Sequence, residues 1–328
     1  MQFKNIPAQF PWLTAFAFGV LATTTQAFGA QLDSIISSKT YNLGERKLKS
    51  VGFPTNQLTE VTTDHAVAVE YTYGYFRART LVAQPFPFPP ESAVTTADQH
   101  TVMPSLYWEL TPNLPVTAGF SYSHSEQDVP GSGSVHADTY TPFISAHEEL
   151  LHFFSGFDTR RTALYFGGNF SYSRTEYNFG DNGTSSSDSY DITPSFIFIR
   201  SLTDWQDGTP GHLNLTLSPG YGYSYRVANG AAGSISRSGR ITVLGRLDYG
   251  LTRNFYLNAS ATWLHDANEA PSSDFNGYHD WALFGAGFTW KFLQTDSNFW
   301  LLKLNYGYMA FYPDVDSHNV SARVEWHF

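Results

Sequence analysis

From about residue 65 onward, apolar side chains alternate with small or polar ones at a spacing of two, the signature of a strand whose two faces meet different surroundings. Val67, Val69, Tyr71, Tyr73 and Tyr75 fall on one face, and Ala68, Glu70, Thr72 and Gly74 on the other. Leu213, Leu215, Leu217, Pro219, Tyr221, Tyr223 and Tyr225 stand opposite Asn214, Thr216, Ser218, Gly220, Gly222 and Ser224. At the C-terminus, Val320, Ala322, Val324, Trp326 and Phe328 alternate with Asn319, Ser321, Arg323, Glu325 and His327. Such segments recur near residues 65–77, 99–110, 115–124, 138–148, 161–173, 189–200, 212–225, 239–250, 255–265, 279–292, 299–310 and 318–328. Most are close to the ~9–11 residues that a tilted strand needs to cross hydrocarbon.

The segments predict an all-β fold, a transmembrane antiparallel up-and-down β-barrel of about twelve strands over residues 61–328. Long links rich in Gly, Ser, Asp, Asn and Pro are expected at 80–98, 125–137, 174–188, 226–238, 266–278 and 311–317. Tight turns such as Thr111-Pro112-Asn113 and Leu251-Thr252-Arg253-Asn254 are expected on the other side. The links near 149–160 and 201–211 are longer than that scheme requires. Aromatic residues gather at segment ends. Trp108, Trp290, Phe292, Trp300, Trp326 and Phe328 form one set, and Tyr73, Tyr122, Tyr172, Tyr225, Trp263 and Tyr308 the other. Two belts of amphipathic rings suit the two interfaces of a bilayer, whereas a soluble β-sandwich has no use for them.

The preceding residues carry no period of two. Lys4, the apolar run Phe10 to Ala22 and the small residues Ala27, Gly29 and Ala30 read as a secretory signal over residues 1–30. The apolar run is too short for a helical span of ~20 residues. Residues 31–60, with Arg46-Lys47-Leu48-Lys49, predict a periplasmic segment, either a flexible tail or a stretch threaded into the lumen, the tail being preferred. The stiff Pro85-Phe86-Pro87-Phe88-Pro89-Pro90 is expected in an exposed loop.

Composition changes this picture in few places. A formal charge of −10 excludes nucleic acid as a partner, because binding needs concentrated Lys and Arg against phosphates. The chain has no cysteine, so neither a disulfide framework nor a lipoprotein anchor is available. Aromatics make up 17% of the chain, more than an ordinary soluble core needs.

Candidate chemistry is sparse. His147 and His152 are five apart, not four, and so miss the spacing that puts two zinc ligands on one helical face. Ser123 and His124 are adjacent, so in a strand they point to opposite sides. Asp181-Asn182-Gly183 is first of all a turn former. No catalytic residue, metal site or cofactor is expected. More informative are the charges that the register turns inward: Glu70, Glu109, Arg240, Arg246, Asp248, Lys291, Lys303, Arg323 and Glu325. A charge facing lipid near the midplane costs about 2–4 kcal/mol. These nine therefore either line a water-filled pore or cross-pair as a polar plug, and barrel closure should bring Glu70 near Arg323.

The last nine residues, Val320-Ser321-Ala322-Arg323-Val324-Glu325-Trp326-His327-Phe328, resemble the closing strand of Gram-negative outer-membrane proteins. The resemblance implies an outer-membrane location, contact with outer-membrane lipids and lipopolysaccharide, and recognition by the barrel-assembly machinery through Trp326 and Phe328. The strand number looks like the translocator domain of autotransporters, though without room for a secreted passenger. Met103-Pro104-Ser105-Leu106-Tyr107, with the turn Leu110-Thr111-Pro112-Asn113-Leu114, is similar to porin-like transporters of the phenol meta-pathway type. The preferred expectation is a passive channel for small solutes. The alternatives are a non-conducting structural or adhesion barrel and an outer-membrane lipid hydrolase.

Overall fold

The computed structural model describes Asp33, Ile35, Ile36, Ser38 and residues 65–328, except 83–90, 112, 130–132, 152–161, 181–182, 204–210, 230–233, 268–279, 296–297 and 312–314. Residues 1–30, read from sequence as a secretory signal, the proline-rich stretch 85–90, His152 and Asp181-Asn182 lie outside the described residues. No helix among the described residues is long and apolar enough to cross a membrane.

Twelve strands pair antiparallel in chain order and close into a barrel. They are β1 (His65–Val82), β2 (Glu91–Thr111), β3 (Leu114–Val129), β4 (Gly133–Glu149), β5 (Thr162–Asn178), β6 (Thr184–Ser201), β7 (Leu213–Asn229), β8 (Ser234–Gly250), β9 (Phe255–Asp266), β10 (Asp280–Phe292), β11 (Phe299–Phe311) and β12 (Val315–His327). The seam is made by β1 and β12, whose register runs from Ala66 opposite His327 to Ala78 opposite Val315. At its end, His65 and Phe328 exchange both backbone hydrogen bonds, at 3.2 and 2.9 Å. Closure leaves no unpaired edge, so the backbone amides of the ring are satisfied from within.

Each of the twelve expected segments falls on one of these strands, inside its ends or to within a residue of them, with the expected faces. Val67, Val69, Leu106, Phe120, Ile144, Phe170, Ile192, Leu217 and Val324 are exposed on the outside, while Ala66, Ala68, Ser105, Ser121, Ser145, Ser195, Thr216 and Arg323 are buried inside. The outside carries two sets of rings. At the rim where β1 begins and β12 ends, here the near rim, Trp300 stacks on Trp326 at 5.7 Å and Trp326 meets Phe328 at 4.6 Å. Toward the far rim, Tyr73 packs on His100, Tyr122 on Tyr140, Tyr172 on Tyr190 and Tyr308 on His318, all with centroids 5.2–5.4 Å apart.

The far-side connections differ from expectation. Strands run on into the stretches read as long loops. For example, β5 continues to Asn178 and β6 starts at Thr184, with Ser189 to Thr184 paired against Ser173 to Asn178. Beyond the apolar band both faces are wet, so the ladder continues without a hydrophobic period. The two long near-side links, Glu149 to Thr162 and Ser201 to Leu213, persist between strand ends.

Candidate functional site: the lumen

The inward charges meet at the near half of the lumen because β1, β8, β11 and β12 present them at matching heights. Glu70 stands directly opposite Arg323 across the seam, and Arg323 opposite Lys303 across the next pair. Arg323 donates to Glu70 Oε2 at 3.2 Å and to Glu325, which also accepts from Lys303 Nζ at 3.0 Å. His327 Nε2 lies 3.2 Å from Glu325 Oε2. On β8 the Arg246 guanidinium grips Asp248 through Nε and Nη2, at 2.8–3.1 Å.

Asp33 joins these pairs from inside. It belongs to a helical stretch with Ile35, Ile36 and Ser38 that precedes the strands and lies within the ring. Its carboxylate accepts from Arg246 Nη1 at 2.7 Å and sits 3.6 Å from Lys303 Nζ. Ile35 and Ile36 pack into a cluster with Ala66, Tyr107, Ala163, Tyr165, Ile197 and Ile199 of β1, β2, β5 and β6. Of the two readings of residues 31–60, the described part lies in the lumen. Burial pushes the Asp33 pKa up, but the cations Lys303, Arg246 and Arg323 together push it further down, and the net shift is below the ordinary value.

Six of the nine residues singled out from sequence therefore share one network: Glu70, Arg246, Asp248, Lys303, Arg323 and Glu325. The other three also face inward, with contacts of their own. Glu109 accepts from the Tyr107 hydroxyl at 3.0 Å. Lys291 lies 4.4 Å from the centre of the Phe299 ring, which stacks on His327. Arg240 sits further along β8, opposite Asp266 of β9. Arg323, Glu325 and Asp248 are 0% exposed and Lys303 1%, so these charges are packed as a plug and not set along open water.

Sequence reasoning missed Asp33, which sits where no period marks a face, and His327, which is inward by register. It also missed Arg226 of β7, which donates to Tyr177 and Ser187 at 3.0 and 3.1 Å. His147 points inward, 3.0 Å from Ser195 Oγ, while Ser123 and His124 face opposite sides, His124 meeting Asp138 on the outside at 2.8 Å. Among the described residues no three His, Cys, Asp or Glu side chains are grouped to hold a metal.

Beyond this charged floor the lumen holds a cavity that is open at its mouth. Asp33, Ile36, Glu70 and Arg246 border it below; hydroxyls, carboxamides and glycines share its wall with apolar side chains such as Phe76, Leu244, Leu283 and Met309.

A closed antiparallel ring with an apolar outside, ring belts and a polar interior is the fold of an outer-membrane β-barrel. The C-terminal third, residues 223–328, matches a family described as a protein of unknown function, DUF481. No curated protein matches in sequence. Among solved structures, the chain is similar to the translocator domain of the autotransporter NalP from Neisseria meningitidis, at 12% identity and a TM-score of 0.56, covering 90% of this chain and 97% of that one. It is also similar to the transport unit of the autotransporter AIDA-I from Escherichia coli, at 10% identity and a TM-score of 0.52, covering 89% and 99%. At such identities the likeness is one of fold.

Proposed function

We propose that the protein resides in the outer membrane as a passive channel for small solutes, with the Asp33 segment as its inner closure. The observation that carries this reading is a lumenal cavity, open at its mouth, which ends on a floor built partly from a segment outside the wall. Wall strands held by continuous ladders cannot move aside without breaking the ring. The Asp33 segment takes no part in those ladders, so its ion pairs to Arg246 and Lys303 and the packing of Ile35 and Ile36 can be released with the ring intact. Selection would then rest on the size, charge and hydrogen bonding of the lining, with no covalent chemistry.

The dense packing of the floor favours a second reading, a non-conducting barrel that displays its far-side strands and loops. Current across planar bilayers separates the two. The channel reading expects brief openings from the full chain and longer ones from Asp33→Ala. Silence from both, with correctly folded protein inserted, overturns it in favour of the non-conducting barrel.

A further inference from the structure

We infer that the cavity above the charged floor is a binding site for a neutral polyhydroxyl solute, a sugar in size and chemistry. The inference rests on the channel reading and names what such a channel would take.

Each strand on this side steps through the same order of side chains from the near rim outward. On β11 the inward residues are Lys303, Asn305, Gly307 and Met309; on β12, Arg323, Ser321 and Asn319; on β1, Glu70, Thr72, Gly74 and Phe76. The lumen is thus layered: ion pairs at the floor, then a belt of amides, hydroxyls and glycines, then an apolar collar that includes Phe76, Leu283 and Met309.

Two features make the middle belt a surface for hydrogen bonding. First, the glycines act as shelves. A Cβ on Gly307 would come within 2.3 Å of Asn319 Oδ1, and one on Gly287 within 2.3 Å of Asn305 Oδ1. Both carboxamides therefore lie flat against the wall, widening the lumen while presenting planar donor and acceptor groups. Second, two amide nitrogens in the lining, Asn258 Nδ2 and, at the height of Phe76 in the collar, Gln127 Nε2, are buried and have no hydrogen-bond partner among the described residues. A buried donor without an acceptor is costly, and turning the amide toward a ligand oxygen in the cavity removes the cost.

The same belt disfavours other solutes. Among the described residues, the Asp, Glu, Lys and Arg side chains that border the cavity lie at the floor, where Glu70 and Arg246 are already engaged in ion pairs. A charged solute would lose hydration and find no free counter-charge. A purely apolar one would leave the amides unmet. A neutral ring with hydroxyls at its edge and C–H groups on its faces meets both belt and collar.

The test uses the purified full chain in detergent and saturation-transfer NMR with three solutes of one size: glucose, gluconate and glucosamine. Glucose should give a signal at least tenfold above the two charged analogues. Gly307→Val, which fills the shelf, and Asn258→Leu, which removes a donor at equal bulk, should each cut it at least tenfold while the barrel still shifts on heating in gels. Equal signals from all three solutes, a preference for a charged one, or a glucose signal unchanged in folded Asn258→Leu overturns the site. Potassium chloride conductance is measured in parallel. Conductance without glucose binding sinks the site and leaves the channel; glucose binding without conductance keeps the site and sinks the channel.

Discussion

Glu70 and Arg323 lie 253 residues apart in sequence and 3.2 Å apart in space, on the two strands that shut the ring. Because the side-chain period is two, slipping this seam by one residue would turn Arg323 into the apolar band and Glu70 away from it. The pair therefore marks correct closure. Removing one member leaves buried charge without its partner, and breaking a buried pair this way costs about 3–5 kcal/mol. Arg323→Ala should lower the temperature at which the folded band converts to the unfolded one in gels. Glu70→Gln combined with Arg323→Gln should cost less than the two single changes added together. Strict additivity would show that the two side chains do not interact.

The Asp33 anchor should depend on pH in one direction. Its pKa is lowered in the folded barrel, so the anchoring is fully present above the ordinary aspartate range, about pH 4. It is lost only as the pH falls through the lowered value. Openings in a planar bilayer should therefore keep the same frequency from pH 7 to pH 5 and become more frequent only in stronger acid. Asp33→Asn should open often at every pH. Frequent openings of the unaltered protein already at pH 6 would place the control on another group.

Ile36 offers a separate check on the segment, because the chain has no cysteine of its own. Ile36→Cys should react slowly with a water-soluble maleimide at neutral pH. The added change Asp33→Ala should speed the reaction at least tenfold. Fast labelling of the single variant would mean that the segment does not stay in the ring.

The apolar exterior predicts a depth-dependent penalty. Ile144 is 48% exposed on the outside of β4, amid the apolar band. Ile144→Arg should destabilise refolding into lipid vesicles by about 2–4 kcal/mol, the cost of a cation near the midplane. Tyr140→Arg, in the ring belt nearer the far rim, should cost less. Equal, small effects would argue that the exterior faces water.

Phe328 closes the ring against His65 and packs beside Trp326, which rests on Trp300. Phe328→Asp should reduce the amount of heat-modifiable barrel recovered from membranes several-fold in cells, while refolding of purified chain in detergent falls less. Such a gap would assign the residue to recognition during assembly. Equal losses in both settings would assign it to stability alone.

The wall of this protein was legible from sequence because each strand between the ring belts divides two unlike environments, and Val67 to Tyr75 records that division residue by residue. Glu70 and Arg323 could be paired in advance since closure fixes which strands meet. Where the environments become alike the record stops: Asn178 and Thr184 carry no apolar alternation, yet pair. Asp33 left no trace of another sort. A residue held inside by partners on β8 and β11 needs no periodic neighbours of its own, so nothing local distinguishes it from a tail. The nine inward charges were found by register alone, but register says nothing of spacing along the lumen, and so could not separate Arg240 from the six that cluster.

Asp33 comes early in the chain, yet Arg246 and Lys303, which pair with it, come from the last third. Its seat does not exist until the late strands have taken their places, so the order of synthesis and the order of completion run opposite ways. A polypeptide cut short before β11 would lack Lys303, and with it β12 and the strand that closes the ring around the segment. The C-terminal strands thus finish the N-terminal end of the fold as well as their own.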